Sequence, residues 1–445
     1  MLRKLKIRNL SQNLSQLKSH SKLRAIASNT GWLFGDRILR MGGGLFVGVW
    51  VARYLGTEQY GLFNYASAFV SLFTPVFTLG LDDVVVRHLV RESSDKSEIL
   101  GTTFGLKLIG GIVSVLLVIF SIFLLQEYKA TTIWLVTILA MTGIFRSADT
   151  VELWFQSQVQ SKYSVIAKNI TYLISMLLRV ALILIKAPLL AFAWVALAEI
   201  IMSAVALIAI YQVRGFSKLW NWKWSFATAK KLLKESFPLI FSGFAILIFM
   251  KIDQIMLGQM KGDTEVGIYS AAVRVSELWY FIPTTIVSSV APAIYAAKEK
   301  SEDHYYKRIG QLLRLLTYIS LAISIPMTFL SKDIVLLMFG SGYIEAGSIL
   351  AVHIWASLFV FMGVATSPWF IAEGLNHVSL GKTLLGAILN VILNFLLIPE
   401  YAGLGAAIAT IASQAVAAFL SNAVDIRTRK LFQIQLESFL PFYKY

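Results

Sequence analysis

The chain has 445 residues, of which 57% are hydrophobic and only 15% charged, with a mean hydropathy of +0.69 and a formal net charge of +15. A soluble chain carries about 25% charged residues, so a water-soluble enzyme or regulator is excluded. The absence of cysteine excludes disulfides and thiolate metal sites.

Residues 1–27 form a basic segment in which Leu10, Leu14 and Leu17 share one helical face. The pattern fits either a basic tail or a short amphipathic helix lying on an anionic leaflet. No uncharged apolar core precedes Asp36, which argues against a cleaved signal peptide. Twelve apolar stretches follow, at 28–53, 60–80, 102–125, 131–154, 163–185, 188–212, 236–258, 264–292, 309–330, 346–372, 378–398 and 403–424. Each is long enough for a hydrocarbon core of about 30 Å, which needs about 20 residues of helix. The expected fold is all-α: a polytopic membrane protein with about twelve transmembrane helices in two six-helix lobes, 28–212 and 236–424. A linker over 213–235 joins them, rich in basic residues and carrying Trp220, Trp222 and Trp224, and a tail over 425–445 closes the chain.

Charge placement accounts for the basicity without nucleic acid. The termini and the even-numbered connections hold 26 Lys and Arg, against four in the odd-numbered connections. Excess basic residues mark the cytoplasmic side, so both termini are expected there. A weak repeat supports two halves: Gly56-Thr-Glu-Gln-Tyr-Gly61-Leu-Phe joins spans one and two, and Gly262-Asp-Thr-Glu-Val-Gly267-Ile-Tyr joins spans seven and eight.

Several charges fall at bilayer depth, where each costs at least ~2.5–3.5 kcal/mol unless it faces protein or water. Setting aside Arg53, Glu265 and Lys382 towards span ends, nine cations and six acids lie inside the spans, a balance that favours an anionic cargo in a hydrated cavity. Asp36, Arg37 and Arg40 share a face of span one, and their spare guanidinium offers phosphate a fork of N–H donors. Arg146, Lys251 and Arg274 line the same space from other helices in this reading. Arg146 with Asp149, and Arg274 with Glu277, are three apart, which suits a structural ion pair as well as a ligand contact. Lys107, Lys168 and Arg314 lie near span ends and are expected to snorkel to the interface. A second constellation joins Asp253 of span seven, Asn390 and Asn394 of span eleven, and Thr410 with Ala406 of span twelve. It suits a hard cation held by oxygens, or hydrogen bonding between helices.

Asn29-Thr-Gly-Trp-Leu, Arg53-Tyr-Leu-Gly56 with Tyr60-Gly61, and Leu79-Gly-Leu-Asp82 with Arg87 resemble Wzx-type polysaccharide flippases. In the second half Asp253-Gln-Ile-Met-Leu-Gly258, Val266-Gly-Ile-Tyr-Ser270 and Gly403-Leu-Gly-Ala-Ala-Ile-Ala-Thr410 agree. The family is part of the multidrug/oligosaccharidyl-lipid/polysaccharide exporter superfamily, and the resemblance spans roughly residues 25–425. It implies a carrier of undecaprenyl-pyrophosphate-linked O-antigen or exopolysaccharide units across the bacterial inner membrane by alternating access. It implies as partners the lipid-linked cargo, membrane lipids, a polysaccharide polymerase and a chain-length regulator, with no nucleic acid. The constellation around Asp253 is similar to the sodium site of some lipid II flippases of the superfamily. Asn394 stands where those carry an acid, which lowers the charge of the site and argues against ion binding there; Na+ or H+ is the coupling ion the resemblance implies, with no other cofactor. The rival readings are a multidrug/cation antiporter or lipid II flippase of the same superfamily. A membrane enzyme is disfavoured: the longest connections are about twenty residues, and the five histidines are scattered without metal-ligand spacing.

Overall fold

The computed structural model describes residues 2–91, 96–125, 129–215 and 218–440, with backbone alone over 2–27. The face formed by Leu10, Leu14 and Leu17 therefore lies outside the described side chains, as residues 441–445 of the tail lie outside the described residues. Every regular element among the described residues is helical. No water reaches a bilayer core to satisfy backbone N–H and C=O groups, and a helix satisfies them within one segment.

The chain opens with α1 (Leu2–Ser71), and one short turn of helix, Thr74–Thr78, leads to α2 (Asp82–Arg91). There follow α3 (Lys96–Leu124), α4 (Ala130–Ser157), α5 (Lys162–Leu184) and α6 (Leu189–Arg214). The second half contains α7 (Phe226–Lys261), α8 (Asp263–Lys300), α9 (Glu302–Phe339), α10 (Ala346–Ala372), α11 (Asn376–Val424) and a last short helix, α12 (Arg429–Glu437). Among the described residues ten helices are long and apolar enough to cross a membrane, where twelve spans were expected. The difference arises at two places. Helix α1 runs through the first two expected spans with a break at Gly56 (φ 71, ψ 176), and α11 through the last two with a break at Ala402 (φ 47, ψ −129). At Ala402 the chain doubles back, because Asn390 donates to Ser413 (3.4 Å) and Gly405 lies against the backbone of Leu397.

The chain divides into two compact units. The first comprises Met1–Val47, Pro75–Leu124 and Thr137–Ile240. Its core gathers Leu81, Val85, Leu89, Trp154, Phe155 and Tyr211. Lys107 is 3% exposed and its ammonium lies 2.6 Å from Asp82 in the first turn of α2, so it is a buried clamp and does not snorkel. Arg87 and His88 both reach Glu235, at 2.5 and 3.1 Å. The linker is no loose tether: Lys223 N–H donates to the Ser97 carbonyl (3.2 Å), Ser225 N–H to Thr102 Oγ1 (3.1 Å), and the Trp222 indole to Tyr211 Oη (3.1 Å).

The second unit comprises Gly48–Thr74, Leu125–Val136 and Phe241–Tyr445. Here the two repeated turns meet. Gly56 and Gly262 share one backbone conformation (φ 71 and 89, ψ 176 and 177), open to glycine but not to most side chains. A Cβ at Gly61 would collide with the carbonyl of Asp263 and the amide of Gly267, and one at Gly267 with the carbonyl of Thr57. Arg53 donates to the carbonyls of Leu337 and Met338, acceptors the last turn of α9 leaves open. Tyr343 Oη donates to the Ala52 carbonyl (2.8 Å). The tail is folded: Leu431 and Ile434 of α12 belong to a core built mainly from α8, α9 and α10.

Candidate functional site

The first unit encloses a cavity of ≈ 350 Å³ lined by seven ionisable side chains: Asp36, Arg40, Arg146, Asp149, Glu152, Lys168 and Glu199. Four helices and a 3-10 turn deliver them: Asp36 and Arg40 stand four apart on α1, Lys168 projects from α5, Glu199 from α6, Arg146–Asp149 form the turn that interrupts α4, and Glu152 follows that turn on α4. Arg40 Nε lies 2.8 Å from Asp36, Lys168 Nζ lies 2.6 Å from Glu152 and 3.5 Å from Asp149, and Arg179 lies 2.9 Å from Glu199. Each of the four carboxylates thus has a basic partner, and the cationic excess counted over all the spans is absent here. Two guanidinium groups keep N–H donors that no carboxylate takes, although Arg40 is itself paired through Nε. Arg40 Nη2 is buried without an acceptor, although the guanidinium lies over the Tyr172 ring (4.8 Å). Arg146 lies over Phe77 (5.7 Å) and makes no ion pair among the described residues.

The structure separates some residues that spacing had grouped. Arg146 does not pair with Asp149, because Asp149 turns to Lys168 on another helix. Lys168, expected at the interface, is a wall of the cavity. Arg37 is exposed and lines no part of it. Lys251 and Arg274 belong to the second unit, where Lys251 is the cation whose field acts on Glu277. Arg274 donates to Tyr60 Oη (3.4 Å) and lies against Gly48.

The second constellation does assemble. Asp253, 4% exposed, accepts from Asn394 Nδ2 (2.6 Å), Thr410 Oγ1 (2.6 Å) and Tyr269 Oη (2.8 Å). Asn394 also donates to Asn390 Oδ1 (3.1 Å), and Thr410 to the Ala406 carbonyl (3.0 Å). The hairpin at Ala402 makes this possible by setting Asn390 and Asn394 beside Thr410 and Ser413. Asn394 Oδ1 is buried with no donor. An orphaned amide oxygen beside a buried carboxylate is the donor set a small hard cation takes. Sequence reasoning missed Tyr269 and Ser413, which carry no spacing signal. Among the described residues no group of three or more His, Cys, Asp or Glu is placed to hold a metal ion.

The described residues form an all-helical, multi-pass membrane protein with ionisable groups facing interior space. The fold is that of a multidrug resistance MATE family transporter of the MOP superfamily, solved in an inward-facing conformation, with a TM-score of 0.73 at 15% identity over 93% of this chain and 100% of that one. The chain belongs to the polysaccharide biosynthesis protein family, whose model matches residues 26–298, and a MatE model matches 238–396. It is similar to the capsular polysaccharide biosynthesis protein CapF of Staphylococcus aureus (24% identical; 82% of this chain, 90% of that protein). It is similar also to the probable low-salt glycan biosynthesis flippase Agl15 of Haloferax volcanii (26% identical; 87% and 82%). Family, relatives and fold neighbour together indicate a transporter and not a catalytic enzyme.

Proposed function

We propose that this chain flips undecaprenyl-pyrophosphate-linked oligosaccharide repeat units across the bacterial inner membrane, with both termini cytoplasmic and the lobes 28–212 and 236–424 rocking in alternating access. The observation that carries the reading is a pair of guanidinium groups with donors to spare in one polar cavity: Arg146, and Nη2 of the Arg40 that Asp36 holds through Nε. Guanidinium N–H donors match the paired oxygens of a pyrophosphate. The multidrug-antiporter alternative is disfavoured, because a cationic cargo needs a bare carboxylate and all four here are held by bases. Relatives named for polysaccharide and glycan biosynthesis support the substrate class, and such a cargo would hand on to a polymerase and its chain-length regulator. Asp253, Asn390, Asn394, Thr410 and the Ala406 carbonyl would hold the coupling ion, sodium in preference to a proton, a choice supported by the buried Asn394 Oδ1, which accepts no hydrogen bond. The ion drives transport only if one conformation binds it more tightly, because equal affinity shifts nothing.

The test is flipping of a lipid-linked oligosaccharide in proteoliposomes, with and without a sodium gradient. Wild type is expected to move the cargo and the Arg40→Ala/Arg146→Ala double variant to fail at normal protein level. Full flipping by the double variant overturns the cargo site. Flipping indifferent to sodium overturns the coupling ion alone.

A further inference from the structure

The second unit holds a separate cavity of ≈ 330 Å³ between α7, α10 and the two arms of the α11 hairpin. Phe249, Met250, Val364, Phe370 and Ala417 give it apolar walls, and Lys382 is its one ionised side chain. Lys382 is 8% exposed. Its ammonium donates to Asn422 Oδ1 and to Thr428 Oγ1 (3.2 Å) and lies over the Phe370 ring (5.0 Å). All three contacts are neutral, and Lys382 makes no ion pair among the described residues. Asp425, the acid whose field reaches it, is taken by Arg427 at 2.8 Å; the Arg427 hydrogen bonds hold that carboxyl down at about 2.

This lysine is held by a built frame. The helix widens to a π-turn over Val416–Leu420, ahead of Asn422. The Asn422 amide donates to the Ala418 carbonyl (3.1 Å) and Gln435 Oε1 (2.8 Å), which leaves only its oxygen for Lys382. A buried charge is costly unless it is paired. Among the described residues only two oxygens accept from an ammonium that has three N–H donors, while an apolar space opens beside it. An anion on an apolar chain satisfies both features, whereas a free sugar satisfies neither.

We propose that this cavity is a lipid-phosphate site, with the phosphate against Lys382 and the first part of the chain against Phe249, Met250, Val364 and Ala417. The chemistry is shared by bilayer phospholipids and by polyprenyl-linked cargo, and binding there does not depend on the flippase reading.

The experiment titrates delipidated, detergent-purified protein with phosphatidylglycerol, with a polyprenyl phosphate and with inorganic phosphate. Binding is read by native mass spectrometry and thermal shift for wild type, Lys382→Arg, Lys382→Met and Met250→Trp. Wild type and Lys382→Arg are expected to bind a lipid phosphate, and Lys382→Met to bind it about tenfold or more weakly. Met250→Trp, which keeps the lysine and fills the apolar wall, is expected to weaken lipid binding too. A preference for the polyprenyl phosphate identifies a cargo contact and a preference for phosphatidylglycerol a bilayer-lipid site; either supports the proposal. Equal lipid binding by wild type and Lys382→Met overturns it, as does inorganic phosphate binding as well as the lipids. If Lys382→Met does not fold, unchanged lipid binding by Met250→Trp overturns it.

Discussion

Replacing Arg146 by glutamine separates a ligand contact from a structural one. In the free protein the side chain loses only its place over Phe77, 5.7 Å away. An exposed cation–π contact contributes ~0.5–1 kcal/mol, so folding stability falls by about 1 kcal/mol or less. Toward a phosphate the same change removes a charge-assisted bond of about 1.5–3 kcal/mol, a ten- to hundredfold loss of affinity. Lys168→Met is the contrast. It leaves Glu152 and Asp149 facing one another with no cation, 2.6 and 3.5 Å from where the ammonium stood. A fully buried pair broken in this way costs ~3–5 kcal/mol; because these side chains keep 26%, 27% and 32% of their exposure, roughly 1–3 kcal/mol is expected. The assay combines thermal unfolding in detergent with binding of a lipid pyrophosphate and with export in a complemented strain at matched membrane level. Arg146→Gln is expected to keep its stability and lose binding, and Lys168→Met to lose stability first. Wild-type binding by Arg146→Gln, or a stability loss equal to that of Lys168→Met, refutes the assignment.

Three further outcomes are expected. Sodium should raise the unfolding temperature of wild type but not of Asp253→Asn; saturation at a hundred times the dissociation constant contributes ~2.7 kcal/mol, and identical responses would reduce the cluster to helix packing. Gly61→Val should destabilise by about 1–3 kcal/mol, since its side chain must displace the Asp263 backbone; an unchanged melting curve would show that the two turns do not touch. Ala402→Gly should stabilise, because alanine at φ 47, ψ −129 carries roughly 1–3 kcal/mol of strain against ~0.5–1 kcal/mol of added glycine entropy; a lower melting temperature would refute the strain.

Hydropathy makes the helical segments legible, because the bilayer imposes their length whatever they pack against. It does not distinguish a hairpin from a kink, which is why twelve stretches appear as ten helices broken at Gly56 and Ala402. The Asp253 cluster is legible for a local reason: Asn390 and Asn394 stand one turn apart, so both amides turn the same way. Ion pairing was less so. Arg146 and Asp149 are three apart, yet the partner of Asp149 comes from α5, and nothing in a spacing announces a contact from another helix. Arg37 and Arg40 part company for a similar reason, since only Arg40 turns toward Asp36 and Tyr172. The motifs that carry the family resemblance are largely joints: Arg53 closes the end of α9, Asp82 anchors Lys107, and Arg87 ties to Glu235.

At the centre of the contact between Gly61 and Gly267 there is no side-chain chemistry at all. Backbone meets backbone there, so nothing at that point takes up a proton, is screened by salt, or is oxidised. Such a seam is a mechanical fit. Any answer it gives to the medium has to come through the side chains that flank it, Asp263, Glu58 and Lys129.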